Sequence, residues 1–249
     1  MSAESGPVEI LLEDGPLLVF NKPSGLLTEA PAGIDSLAAR VAAYLKSAYA
    51  KPAGVYLGVP HRLDRAVSGA VCFAKNSKCA HRLAVQFRDR QVRKIYWALL
   101  ESAPEPAAGT LVDWLEKIPD KPLARVTPDY RPEAREATLR YRTLATRQNA
   151  ALVEIELGTG RFHQIRVQFA HRGRPVVGDF AYGAGRPFGP FNPELRDQPI
   201  ALHARRLELL HPVRYDAAVV RAPTPLLWRE YVDEGECETL ARGTPTESS

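Results

Sequence analysis

The first apolar runs lie in EILLEDGPLLVFNKPSG (9–25), on either side of an Asp-Gly step. This predicts a β-hairpin that ends at a Pro-Ser-Gly turn. Leu37, Val41, Tyr44 and Leu45 then fall at i, i+4, i+7 and i+8, predicting a helix capped by Asp35 or Ser36. GVYLGVP (54–60) and AVCFAKN (70–76) read as short buried strands. A second helix follows Asn76 or Ser77, with Ala80, Leu83, Ala84 and Phe87 inward and Lys78, Arg82 and Gln86 on another face. VRKIYWALL (92–100) alternates as a strand, Tyr96 on one side and Trp97 on the other, and the Pro/Ala stretch SAPEPAAG ends it.

Residues 117–136 carry four prolines and read as loop or irregular strand. EATLRYRTLATR and AALVEIELGTG alternate as an antiparallel pair joined near Gln148 and Asn149. RFHQIRVQFAHRG (161–173) predicts a third helix stopped by Gly173. Phe162, Ile165 and Phe169 would face its core, with His163 and Arg166 on a neighbouring face. A Gly/Pro-rich surface loop (182–199) and a late strand, IALHARRLELLHP (200–212), complete the pattern. With no repeat and no clear linker, the expectation is a single α+β domain over 8–232 with a mixed, largely antiparallel sheet. The small, polar ends, 1–7 and 240–249, are expected to be disordered tails.

Composition changes this picture little: 249 residues, 45% hydrophobic and 25% charged, suit a globular domain with a substantial core. Charge distribution says more than the net +4. Arg62–Lys94 holds nine Lys/Arg against Asp64 and Asp89 alone, and Arg161–Arg174 holds four Arg and no acid. Such asymmetry suits a polyanion-facing surface as well as a solvated one. Cys72, Cys79 and Cys237 form neither a disulfide framework nor a zinc pattern. With no membrane-spanning run and no signal peptide at the start, a cytoplasmic location is expected.

The chemistry centres on HRLDRAVSG (61–69), where Asp64 lies between Arg62 and Arg65. A lone carboxylate among arginines stays ionised, which suits a nucleophile; it equally suits a salt bridge that pins a loop. The six histidines do not fall at ligand spacing, so no metal site is expected. Phosphate-binding loops, the kinase catalytic-loop pattern and a G-x-S-x-G elbow are all missing, which leaves nucleotide hydrolysis and esterase chemistry unsupported. Glycoside-type hydrolysis would need a second carboxylate that no nearby motif supplies.

Four segments in order, FNKPSGLLT (20–28), HRLDRAVSGAVCFAKN (61–76), RKIYWALL (93–100) and GTGRFHQIRVQFAHRGRPVVGDFAYG (158–183), resemble the RluA family of RNA pseudouridine synthases. IALHARRLELLHP resembles the family's closing strand. The resemblance implies flanking helices around a central cleft, and an enzyme that isomerises uridine to pseudouridine in a tRNA or rRNA stem-loop without cofactor or metal. It makes Asp64 the catalytic aspartate, Arg166 the arginine that pairs with it, and Tyr96 the tyrosine against the target base.

Because a base cannot react inside a helix, flipping is expected, with Arg62 placed to fill the vacated stack or hold a phosphate. Arg65, His61, Arg161, His163 and Lys22 join it as expected RNA contacts, with His61, Arg65 and Ser68 also shaping the loop and Lys22 supporting the cleft wall. The basic helix 77–89 and the loop 183–199 are further expected contacts. NKPSG begins so near the start that no N-terminal RNA-binding domain of the S4 type is expected, and the protein is expected to act as a monomer. Departures from the family pattern are Val67 and Phe162 where Thr is usual, and Arg174 where His is usual. The competing function is an inactive RNA-binding or assembly factor on the same fold.

Overall fold

The opening alternation becomes a hairpin, β1 (Glu9–Asp14) against β2 (Leu17–Lys22), with Gly15 at φ +52° in its two-residue turn. The computed structural model describes residues 8–50, 54–147, 150–233 and 235. The predicted turn at Gln148–Asn149, the tails and Cys237 lie outside them. The chain groups into two compact units, 1–94 with 204–223 and 95–203 with 224–249. Two of the three divisions fall inside strands, β4 (Arg93–Leu100) and β9 (Leu202–Leu210), and the third follows residue 223, outside any strand.

In the first unit β2 pairs antiparallel with β1 and with β3 (Ser68–Ala74), β9 lies beside β3, and β10 (Ala217–Arg221) pairs antiparallel with β9. α1 (Leu37–Ala48) is capped by Ser36, whose Oγ accepts from Ala39 N, and it buries Leu37, Val41 and Leu45. Tyr44 instead donates its hydroxyl to Glu13, which also receives Tyr49 and Lys75. The Lys75 and tyrosine hydrogen bonds hold the Glu13 carboxyl down at about 2.

α2 (Ser77–Arg88) is capped by Asn76, but its buried stripe is Cys79, Leu83 and Gln86. Ala84, expected inward, is exposed. The helix is rotated because the Gln86 amide both donates to Leu210 O and accepts from Leu210 N, each at 2.9 Å. GVYLGVP is not a strand either: Gly58 alone bridges to Ala74, and a side chain there would meet the Ala80 Cβ at 2.4 Å.

The second unit carries the sheet order β4, β8 (Ala150–Leu157), β7 (Arg135–Arg147), β5 (Ala108–Lys117) and β6 (Ala124–Thr127), every ladder antiparallel. β5 was not anticipated from the sequence, and β6 falls in the proline-rich stretch. α3 (Gln164–His171) covers one face of this sheet. Phe169 meets Tyr141 edge-on at 5.5 Å, Val167 packs with Ala137 and Leu115, and Gln168 and Arg172 bond Asp113.

α3 is shorter than the apolar pattern predicts. His163 stands outside it at φ +54°, and every residue from Gln164 to Phe169 is buried. The reason is Gln164, whose Oε1 accepts from Arg161 N and from the Thr159 hydroxyl while Nε2 donates to Thr138 O. These bonds fix a tight turn where a further helical turn would otherwise run. Gly173, at φ +69°, ends the helix as expected. Among the described residues no helix is long and apolar enough to cross a membrane.

Candidate active site

Residues 61–67 of the first unit have no regular secondary structure, so their backbone groups need partners from elsewhere. Residues 22–28 supply them. Thr28 Oγ1 accepts from Leu63 N at 3.0 Å and donates to Leu63 O at 2.9 Å. Gly25 N and Lys22 Nζ both donate to Arg65 O, Ser24 Oγ donates to Ala66 O, and Arg65 Nε returns a bond to Gly25 O. The turn closes with Val67 N on Asp64 O at 3.1 Å. FNKPSGLLT is thus a splint for HRLDR, and the splinted turn presents a partly exposed Asp64 beside an exposed Arg62. Val67 is buried, so a methyl in place of the family's usual hydroxyl faces the core.

One of the expected RNA contacts, Lys22, is corrected here. Lys22 is 0% exposed, and its ammonium is spent on the carbonyls of Pro23, Leu26 and Arg65. Burial pulls Lys22 down to about 7, opposed by the nearby Asp64 charge and aided by that of Arg65. Three carbonyl acceptors match the three hydrogens of the charged form. His61 stacks on Phe87 at 4.3 Å, and its Nε2 accepts from Cys72 N at 3.0 Å. Burial, with Lys94 nearby, pushes that imidazole down to about 3, so it is neutral at physiological pH. Both side chains thus hold the loop in shape.

In the second unit Tyr96 is half-buried on β4, in register with Ile155 and, through it, with Tyr141. Cross-strand partners share a face, and Tyr141 touches Phe169 of α3, so Tyr96 lies on the α3 side of the sheet. Arg166, on α3, is buried and makes a bidentate pair with Asp179, Nε to Oδ2 at 2.6 Å and NH2 to Oδ1 at 2.8 Å. The Tyr182 ring lies 5.0 Å from its guanidinium carbon. The Tyr182 hydroxyl accepts from Ala124 N and meets His163 Nδ1 at 2.9 Å. Phe162 stacks on His163 at 3.8 Å, and Lys117 lies over Phe162. Arg161 reaches back to Glu136 O from a partly exposed position.

Asp179 and Tyr182 were not singled out from the sequence. An acid inside the apolar run VVGDF was the available signal, since a buried carboxylate requires a cation or several donors. Among the described residues no three His, Cys, Asp or Glu side chains gather as a metal site.

The α+β fold thus carries a splinted aspartate in one unit and a cluster built on a buried arginine in the other. The chain matches the structure of human RNA pseudouridylate synthase domain containing 4 with a TM-score of 0.75 and 26% identity, covering 94% of this chain and 93% of that one. Residues 16–171 match the RNA pseudouridylate synthase family model, and the chain belongs to that family. It is 34% identical over 226 residues to an uncharacterized RNA pseudouridine synthase of Synechocystis, covering 90% of this chain and 67% of the relative. It is 35% identical over 241 residues to the ribosomal large subunit pseudouridine synthase D of Xylella fastidiosa, covering 94% and 69%. It therefore spans about two thirds of each relative's length. As a pseudouridine synthase, it is an enzyme that isomerises uridine in RNA.

Proposed function

We propose that the target is a uridine in a folded stem-loop of rRNA or tRNA, and that Asp64 is the catalytic carboxylate. The observation that carries this is the splint: four hydrogen bonds from residues 24–28 and one from Lys22 fix the backbone of residues 63–66, and the Arg65 side chain returns one more to Gly25 O. A carboxylate set on so constrained a turn keeps its geometry when a substrate arrives, which is what positional catalysis requires. The ribosomal name of the Xylella relative favours rRNA.

Within this proposal the family resemblance gives Arg166 the role of the aspartate's arginine partner and Tyr96 that of the ring against the uracil, relaying a proton at C5. Arg62, exposed beside Asp64, fills the place of the flipped base or holds a phosphate. No cofactor enters: the glycosidic bond broken at C1′ is replaced by one to C5, so no atom or electron is gained.

The test is tritium release from RNA labelled at uracil C5. Wild type should release label from rRNA or tRNA, and Asp64→Asn should release none while still binding the RNA. Release by Asp64→Asn would remove the catalytic assignment. Failure of wild type on every cellular RNA would favour a binding or assembly role.

A further inference from the structure

We propose that Asp179 and Tyr182 are positioning residues for Arg166, together fixing the plane and the rotation of its guanidinium so that it works as a rigid group in the isomerisation. The proposal rests on the catalytic assignment of Arg166 made above. An arginine side chain has several rotatable bonds, and a single hydrogen bond leaves the guanidinium free to turn. Asp179 removes that freedom by taking two parallel N–H bonds along the Nε–NH2 edge, at 2.6 and 2.8 Å. Five donors sit on a guanidinium, and this pairing uses two of them. The pair is sealed from water, with side-chain exposure of 9% for Arg166 and 1% for Asp179.

Tyr182 adds a second constraint. A carboxylate on one edge still permits rocking out of the plane, which the ring 5.0 Å from the guanidinium carbon opposes through cation–π attraction. The ring is itself anchored at its hydroxyl by Ala124 N at 2.8 Å and His163 Nδ1 at 2.9 Å. His163 is held at φ +54°, an uncommon conformation for a residue with a side chain. It is kept there between the stacked Phe162 ring and the edge-on Tyr182 ring. Backbone strain of this kind persists where the surroundings over-determine it, often at functional sites.

Asp179 and Tyr182 thus act through Arg166, and a double-mutant cycle reads such an action directly. Single-turnover rates and KM for RNA would be measured for Asp179→Asn, Arg166→Lys, the double variant and Tyr182→Leu, each scaled to the folded fraction from its melting curve. Asp179→Asn is expected to lower the rate about 10²-fold, the cost of an ångström-scale misplacement, with KM nearly unchanged. In the Arg166→Lys background the same change should cost almost nothing further. Asp179→Glu, which keeps the charge, should recover part of the rate. Tyr182→Leu, which leaves the ion pair intact, should also lower the rate at constant KM.

Equal rate losses from Asp179→Asn in both backgrounds, or a full rate per folded molecule, would overturn the proposal. If Asp179→Asn does not fold, the rate of Tyr182→Leu decides, and a full rate there overturns it. Full activity of Arg166→Lys and Arg166→Gln would instead remove the role of Arg166 itself, a different failure from that of the clamp.

Discussion

His61 and Thr28 show how much of the segment around Asp64 is spent on holding itself in place. His61 accepts a backbone proton at Nε2 and is neutral in the fold, with its pKa pushed from 6.5 down to about 3 by burial. Below pH 6.5 the unfolded chain takes up a proton that folded His61 does not. Its contribution is therefore complete above that pH and is lost as the pH falls toward 3, by about 3 kcal/mol at pH 4.5. Urea midpoints between pH 7 and 4.5 should fall less steeply for His61→Gln than for wild type. Thr28→Val keeps shape but leaves Leu63 N and O unpaired, and is expected to cost about 1–3 kcal/mol in urea unfolding and to slow tritium release. The sequence marked HRLDR as special without showing that residues 22–28 hold it. Backbone hydrogen bonds between loops leave little trace in residue type.

Among the elements, periodicity identified α1, β1 to β3 and the β7–β8 pair, because their buried faces repeat at the spacing of helix or strand. It misplaced the inward face of α2, where the polar Gln86 is buried because it serves both backbone groups of Leu210. Gln86→Leu, though more apolar, should therefore destabilise by about 1–3 kcal/mol in thermal melts. The small residues after Asp64 also have an element-scale cause. Gly69, at φ +119°, lies where a Cβ would come within 2.4 Å of Ala204 O and 2.6 Å of Ala204 N on β9. Backbone on both sides cannot yield, so Gly69→Ala is expected to cost more than about 3 kcal/mol and to give little folded protein on expression.

For the molecule as a whole, the net charge of +4 conceals a strong local bias, and the logarithm of the RNA affinity should fall linearly with the logarithm of salt concentration. Arg62→Ala and Arg161→Ala should each weaken binding and flatten that slope by about one. Lys22→Ala should not change the slope, because its ammonium is occupied inside the fold. The sequence alone determined the fold class and the family, and it marked Asp64, Tyr96 and Arg166 as candidates, because those readings depend on ordered motifs and local periodicity. Tertiary structure alone decided where each charged or titratable side chain finds its partners. It closed carbonyls around Lys22, stacked His61 on Phe87 and paired Arg166 with Asp179. The physical reason is that a charged residue is written the same way in the sequence whether it meets water, RNA or a buried partner. Only the packing of distant segments removes the water and leaves one of those outcomes.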